Sequence, residues 1–241
     1  MSRPGGGPRA KTAAERVRQP TEVRRRLIIE AARGLIADRG LFATTMRDIA
    51  QAGGVSLGTL TYHFTGIAEI LGEVLKEEME EFYAPIAEQA RAAANGSSAM
   101  QTLIDGFFAA DDRTLQHWRL WLDFWGLSAH DPSYARWQSD AYARWRSDVN
   151  LVLERGCAEG YFVIDDLEIA MKDFMAIFDG LASQAFLPGS SMGPAQARDH
   201  LTGWVRRALA APDPAQSPAS TGPATARPTT TRKSPSTRRP K

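Results

Sequence analysis

The segment TTMRDIAQAGGVSLGTLTYHF, residues 44–64, decides the fold of this chain. Thr45 and Asp48 have the spacing of a capping box, which predicts a short helix that ends at the glycine pair in the middle of the segment. Ser56 is a favourable N-cap for a second short helix over residues 57–63. Two short helices joined by a three- or four-residue turn that contains glycine are typical of a helix-turn-helix.

In a helix-turn-helix the second helix lies in the DNA major groove, and the first helix crosses the phosphate backbone. Hydroxyl groups and a ring nitrogen on the outward face can bond to phosphates or base edges, and a glycine permits close approach. The predicted DNA-binding residues are Arg47, Ser56, Leu57, Gly58, Thr59, Thr61, Tyr62 and His63. The residues by themselves leave one alternative, a helical hairpin inside a larger bundle.

The charges are distributed unevenly along the chain. Residues 1–65 contain eleven Lys/Arg and five Asp/Glu, residues 66–210 contain twelve and twenty-two, and the last thirty-one residues contain six and one. A basic front indicates a polyanionic partner, most commonly nucleic acid. The alternative is a charged face that is merely solvated.

Hydrophobic periodicity outside the motif is helical, which predicts an all-α fold. Only GYFVI, residues 160–164, resembles a strand. The predicted domains are a disordered basic arm over 1–20, a three-helix DNA-binding domain over 21–66, a helical bundle over 67–210, and a disordered Pro/Thr/Ser-rich basic tail over 211–241.

Two helices next to the motif can be predicted in detail. Thr21 is placed to cap a helix that continues through Arg39. A long helix is expected from Ile67 to Ala94, with a kink at Pro85 because proline lacks the backbone N–H. The kink has two interpretations, a hinge or simple bent packing.

The chain resembles a known family of bacterial regulators. The segment RLIIEAARGLIADRGLFATTMRDIAQAGGVSLGTLTYHF resembles the N-terminal DNA-binding domain of the tetracycline-repressor family. The segment from Trp121 to Phe186, with its tryptophans, Y.RWR, G...G.F and DGLa.qa features, resembles the C-terminal domain of the branch that includes the glycine-betaine regulators. Membership would imply repression of an inverted-repeat operator and release by a small molecule. It would also imply a homodimer through the last two helices, at about 166–187 and 193–210.

Two positions depart from the family pattern. Thr61 stands where the family usually has a phosphate-binding tyrosine, and Ile67 stands where it usually has a lysine. The remaining basic residues near the motif, Arg47, Arg24–Arg26 and the arm, would then supply the phosphate contacts.

The resemblance also places an effector cavity among the aromatic residues of the middle region. Trp118, Trp121 and Trp125 recur at i, i+3 and i+7 on one helix face, a pattern that more often belongs to ordinary core. Asp105, His117 and Asp123 occur nearby, and aromatic faces with carboxylates suit a cation or an amphipathic amine. The predicted effector-binding residues are Asp105, Phe107, Trp118, Trp121, Trp125 and Trp145.

Other classes of protein have little support. The single cysteine, Cys157, allows neither an internal disulfide nor a cysteine zinc cluster. No histidine pair at metal-ligand spacing, glycine-rich phosphate loop or serine nucleophile elbow occurs, so neither a cofactor nor a metal is expected. An enzyme and a helical adaptor without DNA binding remain as alternatives. No apolar run approaches a membrane span and the first twenty residues lack a signal-like core, so we expect a cytoplasmic protein at the nucleoid.

Overall fold

The computed structural model describes residues 20–211, so the predicted basic arm and tail lie outside the described residues, apart from one residue of each. Ten α-helices follow one another in this range: α1 Thr21–Arg39, α2 Met46–Ala52, α3 Leu57–His63, α4 Ile67–Glu78, α5 Ala84–Ala92, α6 Gly96–Phe107, α7 Asp112–Ser128, α8 Pro132–Ala158, α9 Leu167–Ala185 and α10 Pro194–Ala208. The prediction of an all-α fold is confirmed. None of these helices combines the length and the apolarity needed to cross a bilayer.

The strand candidate at residues 160–164 does not form a strand. Phe162 makes one isolated antiparallel bridge with Ala210, and the N–H of Val163 donates to the carbonyl of Leu209 at 2.9 Å. These contacts join the turn between α8 and α9 to the residues that follow α10.

The first three helices pack at one end of a hydrophobic core that continues into the rest of the helices. Ile28, Ile36, Ile49 and Leu60 are fully or almost fully buried there. Helix α1 packs on α2 and also on α4 and α7, so the N-terminal helices share an interface with the following bundle. The cap of α1 differs from the prediction: the N-cap is Pro20, which has no side-chain acceptor, and Thr21 is already helical.

The helical path from residue 67 to residue 92 contains one wide turn. Met79–Tyr83 forms a π-helical turn between α4 and α5, and Pro85 is the second residue of α5. Proline cannot donate a backbone hydrogen bond and crowds the carbonyl four residues earlier, which explains why the preceding turn is widened. The predicted single helix is therefore interrupted before Pro85 and ends at Ala92 instead of Ala94.

Helices α6 and α8 approach closely at Gly96, which lies against the backbone of Gly156. A Cβ added to Gly96 would lie 2.4 Å from Gly156, and one added to Gly156 would lie 2.1 Å from the ring of Phe162. Helix α9 packs between α8 and α10. This arrangement brings one face of α7, α8 and α9 around the inner end of α6.

Candidate DNA-binding face and effector cavity

The helix-turn-helix has the local structure that its sequence predicts. The side chain of Thr45 accepts from the N–H of Asp48 at 3.2 Å, and the Asp48 carboxylate accepts from the N–H of Thr45 at 3.0 Å. The Ser56 hydroxyl accepts from the N–H of Thr59 at 3.0 Å and so caps α3. Gly54 has φ of +64°, the left-handed conformation that the turn requires and that glycine adopts at little cost.

The predicted contact residues line the outer side of this motif, but their availability differs. Tyr62 is 82% exposed, and Arg47, Leu57 and Gly58 are also exposed. Ser56 and Thr59 share a hydrogen bond of 2.8 Å. The hydroxyls of Ser56 and Thr59 are therefore engaged with each other, whereas Tyr62 and Arg47 are open to a partner.

Thr61 and His63 are partly occupied by internal contacts. The Thr61 hydroxyl donates back to the carbonyl of Leu57 at 3.1 Å or Gly58 at 3.2 Å, which leaves its oxygen as an acceptor. His63 is half-buried, and its ring meets that of Tyr62 edge to face. Tyr62 is consequently the most accessible hydrogen-bonding side chain on α3.

One arginine that the sequence assigned to phosphate contacts has a structural role. The Arg25 guanidinium pairs with Glu73 at 3.2 Å, donates to the carbonyl of His63 at 3.3 Å and lies 4.4 Å from the ring centroid of Phe64. These contacts connect α1 with the end of α3 and with α4. Arg25 is therefore turned into the protein, and Arg47 is the exposed basic residue of the motif.

An aromatic cavity of about 50 Å³ lies among the π turn, α6, α7, α8 and α9. Phe107, Trp118, Trp121, Trp125 and Trp145 line it, so five of the six predicted effector residues come together. Trp118 also has a structural role, because its indole N–H donates to the carbonyl of Phe107 at 2.8 Å. The aromatic stripe thus serves as a cavity wall and as part of the core.

Asp105 is the sixth predicted residue, and it lies outside this cavity. It is exposed, accepts from Gln101 at 2.9 Å and faces Arg198 at 3.9 Å. Residues two apart on a helix point about 200° apart, so a cavity-facing Phe107 requires Asp105 to face away. Asp123 is also elsewhere, since its carboxylate accepts from the N–H of Leu41 at 2.7 Å.

Asp179 is the carboxylate that does line the cavity, together with Tyr142. The Tyr142 hydroxyl donates to the Asp179 carboxylate at 2.9 Å. Burial raises the pKa of Asp179 to about 6, although the hydrogen bond from Tyr142 works in the opposite direction. Sequence reasoning missed this residue. The available signal was that Asp179 is the only charged residue between Asp173 and Arg198.

Three tryptophans at the cavity have unpaired polar atoms. The indole nitrogens of Trp121, Trp125 and Trp145 are buried and make no hydrogen bond to any residue that the structure describes. A buried donor without an acceptor costs free energy, so these indole groups are held in the wall by the packing of their rings. The cavity itself combines aromatic faces with one carboxylate.

A helix-turn-helix joined to a helical bundle with an aromatic cavity defines the class of ligand-responsive DNA-binding regulators. Comparison with known proteins agrees with this class. The model of bacterial regulatory proteins of the tetR family matches residues 28–74, and that of the C-terminal region of BetI-type transcriptional repressors matches residues 96–210. The chain belongs to the TetR family.

Individual relatives have the same character. The HTH-type transcriptional regulator BetI of Cronobacter sakazakii is 27% identical over 197 residues, which cover 80% of this chain and 94% of that protein. The HTH-type transcriptional repressor KstR2 of Mycobacterium tuberculosis is 30% identical over 159 residues, covering 66% and 79%. These relatives are transcriptional regulators, which favours the DNA-binding interpretation over an enzyme, an adaptor or a plain helical hairpin.

One solved structure is similar to this chain over most of its length. A putative transcriptional regulator from Saccharomonospora viridis, in complex with choline, superimposes with a TM-score of 0.74. It is 26% identical, and the match covers 78% of this chain and 98% of that chain.

Proposed function

We propose that this protein is a repressor that binds an inverted-repeat operator as a homodimer and releases it when a small cation enters the aromatic cavity. The observation that carries the ligand class is the position of Asp179 beside Tyr142 in a wall that is otherwise mainly aromatic. A cation over aromatic faces gains roughly 0.5–2 kcal/mol from the ring quadrupoles. The carboxylate adds a counter-charge that a neutral ligand could not use.

A quaternary ammonium compound fits these groups best. The ammonium head would occupy the aromatic faces near Asp179. Choline has such a head, and it is the ligand in the structure of the Saccharomonospora viridis regulator. We therefore take choline as the first ligand to test.

The DNA-binding half of the proposal rests on the exposed face of α3. Arg47 and Tyr62 would contact the phosphate backbone or base edges, with Ser56, Leu57, Gly58, Thr59, Thr61 and His63 as the surrounding contact surface. One seven-residue helix reads few base pairs, so two copies on two half-sites would supply the specificity. Neutralised phosphates would release counterions, and affinity would fall steeply with salt.

The outer face of α9 is the proposed dimer contact. Ile169 in its first turn and Leu187, two residues beyond its last residue, are 57% and 51% exposed. Ala176 and Gly180 lie between them on the same face, and their small size would let a second copy approach closely. Helix α10 would complete the interface, as it packs alongside α9.

The ligand class can be tested with a matched pair of compounds. Choline and 3,3-dimethyl-1-butanol have nearly the same shape and hydroxyl group, but only choline is charged. We expect choline to quench the tryptophan fluorescence saturably at neutral pH and to bind roughly tenfold or more tightly than the neutral alcohol, as cation–π and charge contacts together exceed about 1.4 kcal/mol. Equal affinities would contradict the assignment of the cavity to a cation.

A further inference from the structure

A fully buried carboxylate lies at the junction of the cavity and the N-terminal helices. Glu78 is the last residue of α4 and is 0% exposed. Arg113 Nη1 donates to both of its oxygens, at 2.8 and 2.9 Å, and His117 Nδ1 lies 3.0 Å from its Oε2. Both partners belong to α7, so this carboxylate fixes the end of α4 to that helix.

The same carboxylate also faces α1. Arg33 Nε lies 3.4 Å from Glu78 Oε1, and Arg33 Nη1 donates to Glu81 in the π turn at 2.8 Å. A third ion pair joins Arg33 to Glu77. Arg33 therefore connects α1, which packs directly on α2 of the helix-turn-helix, with the end of α4 and the π turn.

His117 stands between this ion network and the cavity. It lines the cavity, and its ring stacks on Phe82 of the π turn with the centroids 3.8 Å apart. Burial lowers the pKa of His117, so the neutral ring can donate from Nδ1 to Glu78. Desolvation opposes ionisation of Glu78, but the hydrogen bonds from His117 and Arg113 outweigh it and lower the pKa of this carboxyl.

We propose that Glu78 couples the cavity to the DNA-binding helices, with His117 as the group that senses the ligand and Arg33 as the group that moves α1. This inference rests on the proposed function, since it requires a ligand in the cavity and an operator on α3. A ligand that contacts the His117 ring changes the hydrogen bond between His117 and Glu78. Because an uncompensated buried charge is costly, the ion pair between Glu78 and Arg33 shifts together with that hydrogen bond.

Other contacts between α7 and the N-terminal helices avoid both the cavity and Glu78. Arg119 Nη1 donates to the carbonyl of Ala37 in α1 at 3.3 Å, and Asp123 accepts from Leu41. Arg119 is thus a matched control for Arg33, because each is an arginine that joins α1 to the bundle. Of these two arginines, only Arg33 contacts Glu78, which in turn contacts His117.

The test compares ligand-induced release in three proteins: the wild type, Arg33→Gln and Arg119→Gln. Each full-length chain is titrated onto a fluorescent duplex that the wild type selects from a random pool, with and without saturating choline at one salt concentration. Choline affinity is measured separately by tryptophan fluorescence.

We expect choline to weaken operator binding by roughly 5- to 150-fold in the wild type and in Arg119→Gln. In Arg33→Gln the ratio should fall below about threefold, with the choline Kd within about twofold of the wild-type value. A merely structural arginine would lower stability or both affinities and leave this ratio unchanged. If Arg33→Gln is unfolded by circular dichroism, Arg33→Lys replaces it, as lysine keeps the charge but loses the planar fork that reaches several carboxylates.

A full wild-type ratio in a folded Arg33 variant would overturn the coupling role and leave the proposed function intact. A wild-type protein that selects no duplex, or that binds no choline, would instead overturn the proposed function, and the coupling inference with it.

Discussion

Replacing Asp179 with asparagine should make the ligand-free protein more stable and the ligand-binding site less effective. The pKa of Asp179 rises from its ordinary value of 3.8 to about 6 because the carboxylate is buried at the cavity wall. Each pKa unit corresponds to about 1.4 kcal/mol, so burying the charge costs about 3 kcal/mol at a pH well above 6. Asparagine keeps the shape and an oxygen that can accept from Tyr142, but it has no charge to desolvate.

The stability difference should depend on pH in a defined direction. A raised native pKa means that the native state holds its proton more tightly, so wild-type stability is lost as the pH rises from 3.8 through 6. The advantage of Asp179→Asn should therefore be about 3 kcal/mol at pH 8 and about 1 kcal/mol at pH 4.5. Urea unfolding at a fixed protein concentration, followed by far-UV circular dichroism, measures both values.

Asp105→Asn is the matched control, as it removes an exposed carboxylate outside the cavity. Its effect on unfolding should stay within about 0.5 kcal/mol at both pH values. Choline binding should be weakened by Asp179→Asn alone, and wild-type choline affinity should fall as the pH drops below about 6. A wild-type protein that gains stability between pH 4.5 and pH 8 relative to Asp179→Asn would refute the reasoning.

Three further predictions follow from the packing and the charges. Tyr62→Ala should weaken operator binding by roughly 2- to 12-fold, the value of one hydrogen bond, without loss of helicity, and anisotropy titration with a matching circular dichroism spectrum checks both. Gly156→Ala should destabilise the fold by about 1–3 kcal/mol because its Cβ would meet the Phe162 ring, whereas Gly126→Ala, with nothing within 4 Å, should be neutral or stabilising in urea unfolding. Deletion of residues 1–20, which contain five Lys/Arg, should reduce the slope of log affinity against log salt, and an unchanged slope would show that the arm makes no phosphate contacts.

The parts of the structure that depend on neighbouring residues could be predicted from the sequence. The capping box of Thr45 and Asp48 and the Ser56 cap form as expected because each satisfies backbone groups within three residues. The tryptophan face of α7 follows from helical periodicity alone. Helical spacing also separates Asp105 from Phe107, because residues two apart on a helix point about 200° apart.

The parts that depend on distant residues could not be obtained in this way. Asp179 meets Tyr142 from a helix 37 residues further along the chain, and Glu78 meets His117 across 39 residues. Glu78 stands in the acidic run from Glu77 to Glu81, which by composition resembles a solvated surface. Glu78 is buried because α1 and α7 pack around the end of α4, and the sequence of the run does not show that packing.

The most direct test of the central claim is the operator affinity of the full-length protein measured with and without choline in the same buffer. Choline can release the operator only if it binds more tightly to a conformation of the protein that holds DNA poorly, and the loss of DNA affinity then equals its differential affinity for the two conformations. We predict a loss of roughly 5- to 150-fold at saturating choline. Choline that binds in the cavity and leaves the operator affinity unchanged would contradict the account.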